Sequence, residues 1–99
     1  MLFEYNTEIA GSNYYFESVY VEPGDALVIF RDRDNKHDKN ALQILHKNKL
    51  VGYVKRQIAA EICAQLEINI VYMECECTYI RSSYDIGIKI LGFLILRIE

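Results

Sequence analysis

Residues 31–41, with the sequence RDRDNKHDKNA, carry more charged side chains than a simple connection between strands needs. The wider window of residues 31–56 holds eight of the chain's 11 basic residues and three of its 14 acidic ones, so its net charge is +5 and the remainder carries −8. The total charge of −3 therefore hides a basic middle. Because a binding partner responds to this local charge, the window favours an anionic ligand.

Other chemistries fit the sequence poorly. Asp32, Asp34 and Lys36 are spaced like the start of a calcium loop, but the glycine at its sixth position and the glutamate at its twelfth are missing. Cys75 and Cys77 share one face of a predicted strand with no histidine beside them, so they are better explained as small buried apolar side chains than as metal ligands. No nucleophile with a neighbouring base and no glycine-rich phosphate loop is visible. We expect no catalytic residues, no metal and no cofactor.

The composition indicates one small domain over residues 1–99. A chain of 99 residues that is 52% apolar can build a single core. Its first residues lack the basic and apolar regions of a secretory signal, and residues 86–98 are too short and too interrupted by charge to be a membrane helix. Three cysteines, an odd number, suit a reducing compartment. We expect a cytoplasmic protein that does not contact a membrane.

The elements that must position the basic window are predicted to be mostly strands. Aromatic and β-branched runs predict strands over residues 2–9, 14–21, 26–30, 41–45, 50–54, 69–80 and 85–98. From residue 56 to residue 66 the apolar positions recur at spacings of three and four, which predicts one amphipathic helix. The expected architecture is mainly β (α+β), a small antiparallel OB-like barrel of about six strands with one helix after the fifth strand. An open antiparallel sheet packed against one helix is the alternative.

Two of these strands are expected to be covered on both faces. Residues 26–30 form a continuous apolar run, and in residues 85–98 both alternating sets are apolar around Leu91 and Phe93. Between two strands, the polar residues 46–49 predict an exposed hairpin turn, so Lys47 and Lys49 are interpreted as solvated.

Several of these segments together resemble the HIRAN domain. The resemblance covers about residues 3–66 and rests on AGSNYY at 10–15, GDALVI at 24–29, Arg31, the NKHDKNAL segment at 35–42, VGYV at 51–54 and AAEI at 59–62. HIRAN domains occur fused to DNA-remodelling ATPases and as small standalone proteins, and a characterised fused form binds the 3′ end of single-stranded DNA. The resemblance therefore implies an OB-like barrel and a non-catalytic module that binds single-stranded DNA at its 3′ end.

The site that follows from this resemblance combines rings, cations and one carboxylate. Its expected nucleic-acid-binding residues are Asn13, Tyr14, Tyr15, His37, Asp38, Tyr53, Lys55, Arg56 and Tyr84. Aromatic rings stack on bases, and cations beside a helix N terminus meet phosphates. If Tyr14 and Tyr15 lie on a strand they point to opposite faces, so one of them would line the pocket. Asp38 would accept a hydrogen bond from a free 3′-hydroxyl and repel a 3′-phosphate.

Three positions depart from the family pattern. Arg33 stands in place of a proline, His37 in place of a loop aromatic, and Asn13 in place of a basic residue before the tyrosines. The loss of one stacking ring and one cation is expected to weaken DNA binding by a few kcal/mol.

Alternative interpretations remain open at this stage. The tyrosines could be ordinary strand residues, and Asp38 and Asn40 could serve only turn chemistry by bonding nearby backbone amides. The apolar residues 86–96 could bind a protein partner or a second copy as a homodimer. The basic window could also bind a nucleotide or another small phosphorylated ligand.

Overall fold

The computed structural model describes residues 1–15 and 20–97 of the chain. In these residues six strands and one α-helix occur, together with a short 3-10 helix at Ser12–Tyr14. The elements in chain order are β1 (Phe3–Glu8), β2 (Ala26–Arg31), β3 (Leu42–His46), β4 (Lys49–Tyr53), α1 (Arg56–Ile68), β5 (Asn69–Ser82) and β6 (Asp85–Arg97).

The strands form one antiparallel sheet in the order β1-β6-β5-β2-β3-β4. Just after β1, Ala10 donates its N–H to the Tyr53 carbonyl at 2.8 Å and accepts the Tyr53 N–H at 2.9 Å. Because Tyr53 ends β4, this bridge joins the two outer strands of the sheet, which therefore curls back on itself. The predicted mainly β, antiparallel fold of six strands and one helix is confirmed.

The core lies between the inner face of this curled sheet and one side of α1. Its fully buried members are mostly β-branched and aliphatic side chains of β3, α1 and β6: Leu42, Ile44, Ile62, Ile86, Ile88 and Ile90. The helix contributes Ala59, Ile62 and Cys63, which recur at the three-to-four spacing of one helical face. All three cysteines are free and buried, as expected of small apolar side chains, and burial raises the pKa of Cys75 to about 12.

Two local predictions were wrong. Residues 14–21 are not a strand where they are described: Tyr14 ends the 3-10 helix, Tyr20 and Val21 lie outside any strand, and residues 16–19 lie outside the described residues. The helix therefore follows the fourth described strand and not a fifth. In β2, only one face is covered, since Val28 and Phe30 are more than half exposed.

Other predictions for the strands can be compared directly. The hairpin turn between β3 and β4 is exposed as expected, with Lys47 and Asn48 at positive φ. Along β6 one alternating set is buried, and Leu91 and Phe93 of the other set are half-buried, whereas residues 94–96 are exposed. The strand is therefore covered on both faces only in part. The described part of the chain contains no helix with the length and apolar character needed to cross a membrane.

Candidate functional site

The loop between β2 and β3 is held in a defined shape by its own polar side chains. Asn35 Oδ1 accepts the backbone N–H groups of His37 and Asp38, both at 2.9 Å. Asp38 Oδ1 accepts the N–H of Asn40 at 2.9 Å, and the Asp38 carbonyl accepts the N–H of Ala41 at 3.0 Å. This is the turn chemistry expected of Asn and Asp side chains. It presents the rest of the Asp38 carboxylate in a fixed direction.

The second oxygen of Asp38 lies beside the start of α1. Asp38 Oδ2 is 3.4 Å from Arg56 Nε, and a terminal nitrogen of Arg56 donates to the His37 carbonyl at 3.0 Å. The Asp38 side chain is 23% exposed and that of Arg56 is 77% exposed. The carboxylate is therefore only half engaged by its own main chain, and its remaining oxygen stays accessible to a ligand beside a cation.

The N terminus of α1 adds backbone donors to this region. Arg56 is its first residue, and no side chain makes a capping hydrogen bond there. Free N–H groups at a helix start attract phosphates. Lys55 is less available, because its Nζ pairs with Glu8 Oε2 at 3.1 Å.

The two adjacent tyrosines lie on a turn, not on a strand. Gly11 at φ 73° begins the 3-10 helix, and Tyr15 donates its N–H to the Ser12 carbonyl at 3.1 Å. Tyr14 is 82% exposed, whereas Tyr15 is half-buried. One ring is thus open to solvent and the other packs inward. We expected this division from the alternating faces of a strand, whereas it arises on a turn.

Tyr15 lies close to Tyr53 at the end of β4. Burial is the main cause that raises the Tyr15 pKa, and the neighbouring Tyr53 adds to it. The segment after β1 can approach β4 closely only because position 52 is glycine. A Cβ at that position would collide with the Ile9 side chain and come within 2.7 Å of the Ala10 carbonyl oxygen.

Tyr84 is held near the same turn by a buried contact. Ser12, which is 2% exposed, donates its hydroxyl to the carbonyl of Ser83 at 2.6 Å. This bond fixes the turn between β5 and β6 against the 3-10 helix. Tyr84 is 75% exposed there, so it presents a second ring on the turn adjacent to Tyr14.

The structure thus arranges the expected residues in two groups. His37 and Asp38 contact Arg56, and a second group on neighbouring turns consists of Asn13, Tyr14, Tyr15, Tyr53 and Tyr84. The short backbone segment from Tyr53 to Arg56 connects the groups. Lys55 lies within this segment, but its side chain turns to Glu8.

Three residues that organise the site were not predicted from the sequence. Ser12 and Glu8 act through partners 71 and 47 positions away, and no local pattern signals either contact. The third is Glu67 in the last turn of α1, whose Oε1 lies 3.0 Å from a terminal nitrogen of Arg31. In the sequence, the only sign of this ion pair was that Arg31 belongs to the residues that resemble the HIRAN domain.

Comparison with known proteins agrees with the resemblance seen in the sequence. A family model described as the HIRAN domain matches residues 2–94. Among solved structures, the crystal structure of the HIRAN domain of human HLTF is similar to this chain with a TM-score of 0.73 and 20% sequence identity, over 90% of this chain and 74% of that one. No curated protein matches the chain. At this identity the structural likeness is one of fold.

Proposed function

Because the chain belongs to the HIRAN domain family, we propose that it is a non-catalytic module that binds single-stranded DNA at a free 3′ end. The observation that carries the proposal is the Asp38 carboxylate, with one oxygen fixed by the loop and the other accessible beside Arg56. We place the module in the cytoplasm, since its free, buried cysteines suit a reducing compartment.

In this proposal Asp38 selects the terminus and Arg56 supplies charge. A carboxylate accepts a hydrogen bond from a terminal 3′-hydroxyl, and its charge repels a 3′-phosphate or a continuing strand. Arg56 and the uncapped N–H groups of α1 attract the phosphate that precedes the last nucleotide. Lys55 contributes less, because a phosphate must compete with Glu8 for its ammonium group.

The tyrosines supply the base-binding surface. Tyr14 and Tyr84 are exposed rings on turns joined by the Ser12–Ser83 hydrogen bond, so bases can stack on either. Tyr15 and Tyr53 are half-buried and form the inner side of this base-binding surface. Asn13 and His37 replace a cation and an aromatic ring of the family pattern, so we expect weaker affinity than a site with both.

The test is fluorescence anisotropy with short 5′-labelled DNA strands that end in either a 3′-hydroxyl or a 3′-phosphate. The wild type is expected to bind the hydroxyl form about 10-fold or more tightly, since a hydrogen bond to a charged group contributes about 1.5–3 kcal/mol. Asp38→Asn is expected to abolish this preference. The amide retains an oxygen for the Asn40 N–H, so the loop should keep its shape.

The matched control is Asp34→Asn, which removes the same charge from an exposed position of the same loop. It should keep the preference for the hydroxyl form. Equal binding of the two strands by the wild type, or an unchanged preference in Asp38→Asn, would refute recognition of the 3′ end. Complete competition by a mononucleotide would point instead to a small phosphorylated ligand.

A second candidate function, binding of a protein partner or a second copy, is favoured by one surface. At the open end of the β5–β6 hairpin, apolar side chains on both strands are exposed by 43–62%: Ile70, Tyr72, Leu94, Ile95 and Leu96. Ile70 and Leu96 are paired across the two strands and share a face with Tyr72. Exposed apolar side chains grouped in this way are typical of association surfaces.

A further inference from the structure

We propose that a groove between the β2–β3 loop and α1 binds the phosphodiester backbone of the DNA strand upstream of its terminal nucleotide. This inference rests on the proposed function, because it extends the site at Asp38 along the same strand. The groove has a volume of about 550 Å³. Arg31, Arg33 and Lys39 line its loop side, Ala60 and Ala64 its helix side, and Glu67 its far end.

The electrostatics of the groove favour an anion. Three cations face one carboxylate, and Arg33 and Lys39 are exposed. Within residues 1–15 and 20–97, neither Arg33 nor Lys39 makes an ion pair. On the opposite wall the two alanines end at Cβ, so they leave room for a phosphate next to the cations.

Arg31 supplies positive charge deep in this groove. Its side chain is 12% exposed, and one terminal nitrogen donates to Asn40 Oδ1 at 3.3 Å. The other lies 3.0 Å from Glu67 Oε1, in an ion pair whose geometry gives no directed hydrogen bond. Nε is buried and has no hydrogen-bond partner in the described part of the chain. Because Nε and this second terminal nitrogen have almost no accessible surface, Arg31 adds positive charge to the floor of the groove, and direct contacts with phosphates fall to the exposed Arg33 and Lys39.

The groove continues directly from the site at Asp38. Arg56, Ala60 and Ala64 follow one another at intervals of four residues, so they share one face of α1. The Cys63 thiol contacts the Asn40 carbonyl at 3.5 Å, which holds the loop along this face. With a rise of 1.5 Å per residue, Ala64 lies about 12 Å from Arg56. A strand whose 3′ end reaches Asp38 can therefore place earlier phosphates beside Lys39 and Arg33.

The experiment measures anisotropy of 5′-labelled strands of two and eight nucleotides, each with a 3′-hydroxyl, as a function of salt. Arg33→Gln and Lys39→Gln are each expected to weaken binding of the eight-nucleotide strand about eightfold at about 50 mM salt. Each should also lower the slope of log affinity against log salt by about 0.7, the value for one phosphate contact on a single strand. Binding of the two-nucleotide strand and the preference for a 3′-hydroxyl should stay unchanged.

Two further variants sharpen the test. Lys49→Gln removes one exposed cation outside the groove and should behave like the wild type. Glu67→Gln removes the groove's carboxylate and should tighten binding of the eight-nucleotide strand only. Such a gain cannot result from misfolding.

The outcomes separate this inference from the proposed function. If the wild type prefers a 3′-hydroxyl but Arg33→Gln and Lys39→Gln match Lys49→Gln, the groove does not hold the strand and the inference is overturned. If Arg33→Gln and Lys39→Gln reduce the salt slope while the wild type shows no preference for a 3′-hydroxyl, the proposed recognition of the 3′ end is refuted. In that case the binding of the strand in the groove is still supported. Absence of binding by the wild type would overturn both.

Discussion

At the scale of single residues, the clearest distinction is between exposed rings that can receive a base and those that cannot. Tyr14 is 82% exposed on the turn beside Tyr53, so Tyr14→Ala is expected to leave the fold intact and to weaken single-stranded DNA binding by about 1–3 kcal/mol. Anisotropy titrations measure the loss, and thermal unfolding checks the fold.

Tyr20→Ala is the control for Tyr14→Ala. Tyr20 is 78% exposed, and its hydroxyl donates to Glu22 at 2.7 Å, outside the proposed site. It should bind DNA like the wild type. Equal losses in the two variants would show that a general loss of aromatic surface, and not a base-stacking position, sets the affinity.

At the scale of elements, the approach of the segment after β1 to β4 determines the site's geometry. In Gly52→Ala the added methyl group would meet the Ile9 side chain and the Ala10 carbonyl. We expect a loss of about 1–3 kcal/mol in the free energy of unfolding, the usual cost of overpacking. DNA affinity should fall as well, since the shift moves Tyr15 away from Tyr53. Urea denaturation and anisotropy measure the two effects.

Gly24→Ala serves as the comparison for Gly52→Ala. Gly24 has φ 93°, and a Cβ there would find nothing within 4 Å. This variant reports the cost of backbone strain without a collision, about 1–2 kcal/mol. DNA affinity should not change in it. A loss of affinity as large as in Gly52→Ala would contradict the role given to the contact.

The elements also show what could be predicted from sequence. The helix and most strands follow from local periodicity, and the loop of Asn35, Asp38 and Asn40 follows from local turn chemistry. The conformation of residues 14 and 15 was mispredicted because it depends on Gly11 and on the distant Ser83. Aromatic and β-branched composition alone favoured a strand there.

Long-range contacts account for the other differences. The exposed face of β2 arises because the core packs on the side of Leu27 and Ile29, so Val28 and Phe30, which alternate with them, point away from it. The ion pair of Lys55 with Glu8 spans 47 residues. No pattern within a short segment contains such information, and the availability of Lys55 could therefore not be judged from its position.

At the scale of the whole molecule, the base-binding turn with Tyr84 and the exposed apolar surface lie at opposite ends of the β5–β6 hairpin. The turn with Tyr84 is at one end, and Ile95 and Leu96 are near the other, about 40 Å away along strands of this length. The charge substitution Ile95→Lys is therefore expected to suppress any self-association without changing the affinity for the two-nucleotide strand, which does not reach the groove along α1. Light scattering over a range of protein concentrations measures self-association, and anisotropy measures DNA affinity.

Leu91→Ala is a suitable comparison for Ile95→Lys, since Leu91 is half-buried on the same strand. It should lower thermal stability but leave the oligomeric state unchanged. A monomeric wild type at all concentrations would exclude a second copy as the partner of the apolar surface. Weakened binding of the two-nucleotide strand by Ile95→Lys would contradict the separation of the two surfaces.

The pairing of β1 with β6 has a consequence for biosynthesis. Phe3 aligns with Gly92, so the first strand meets its neighbour only after about 90 further residues have been translated. At about 5–20 residues per second, β1 waits roughly 5–20 s on the ribosome with open backbone donors and acceptors. Nascent chains arrested before β6 emerges should therefore expose β1 to chaperones, and the completed sheet should form only after its last strand leaves the exit tunnel.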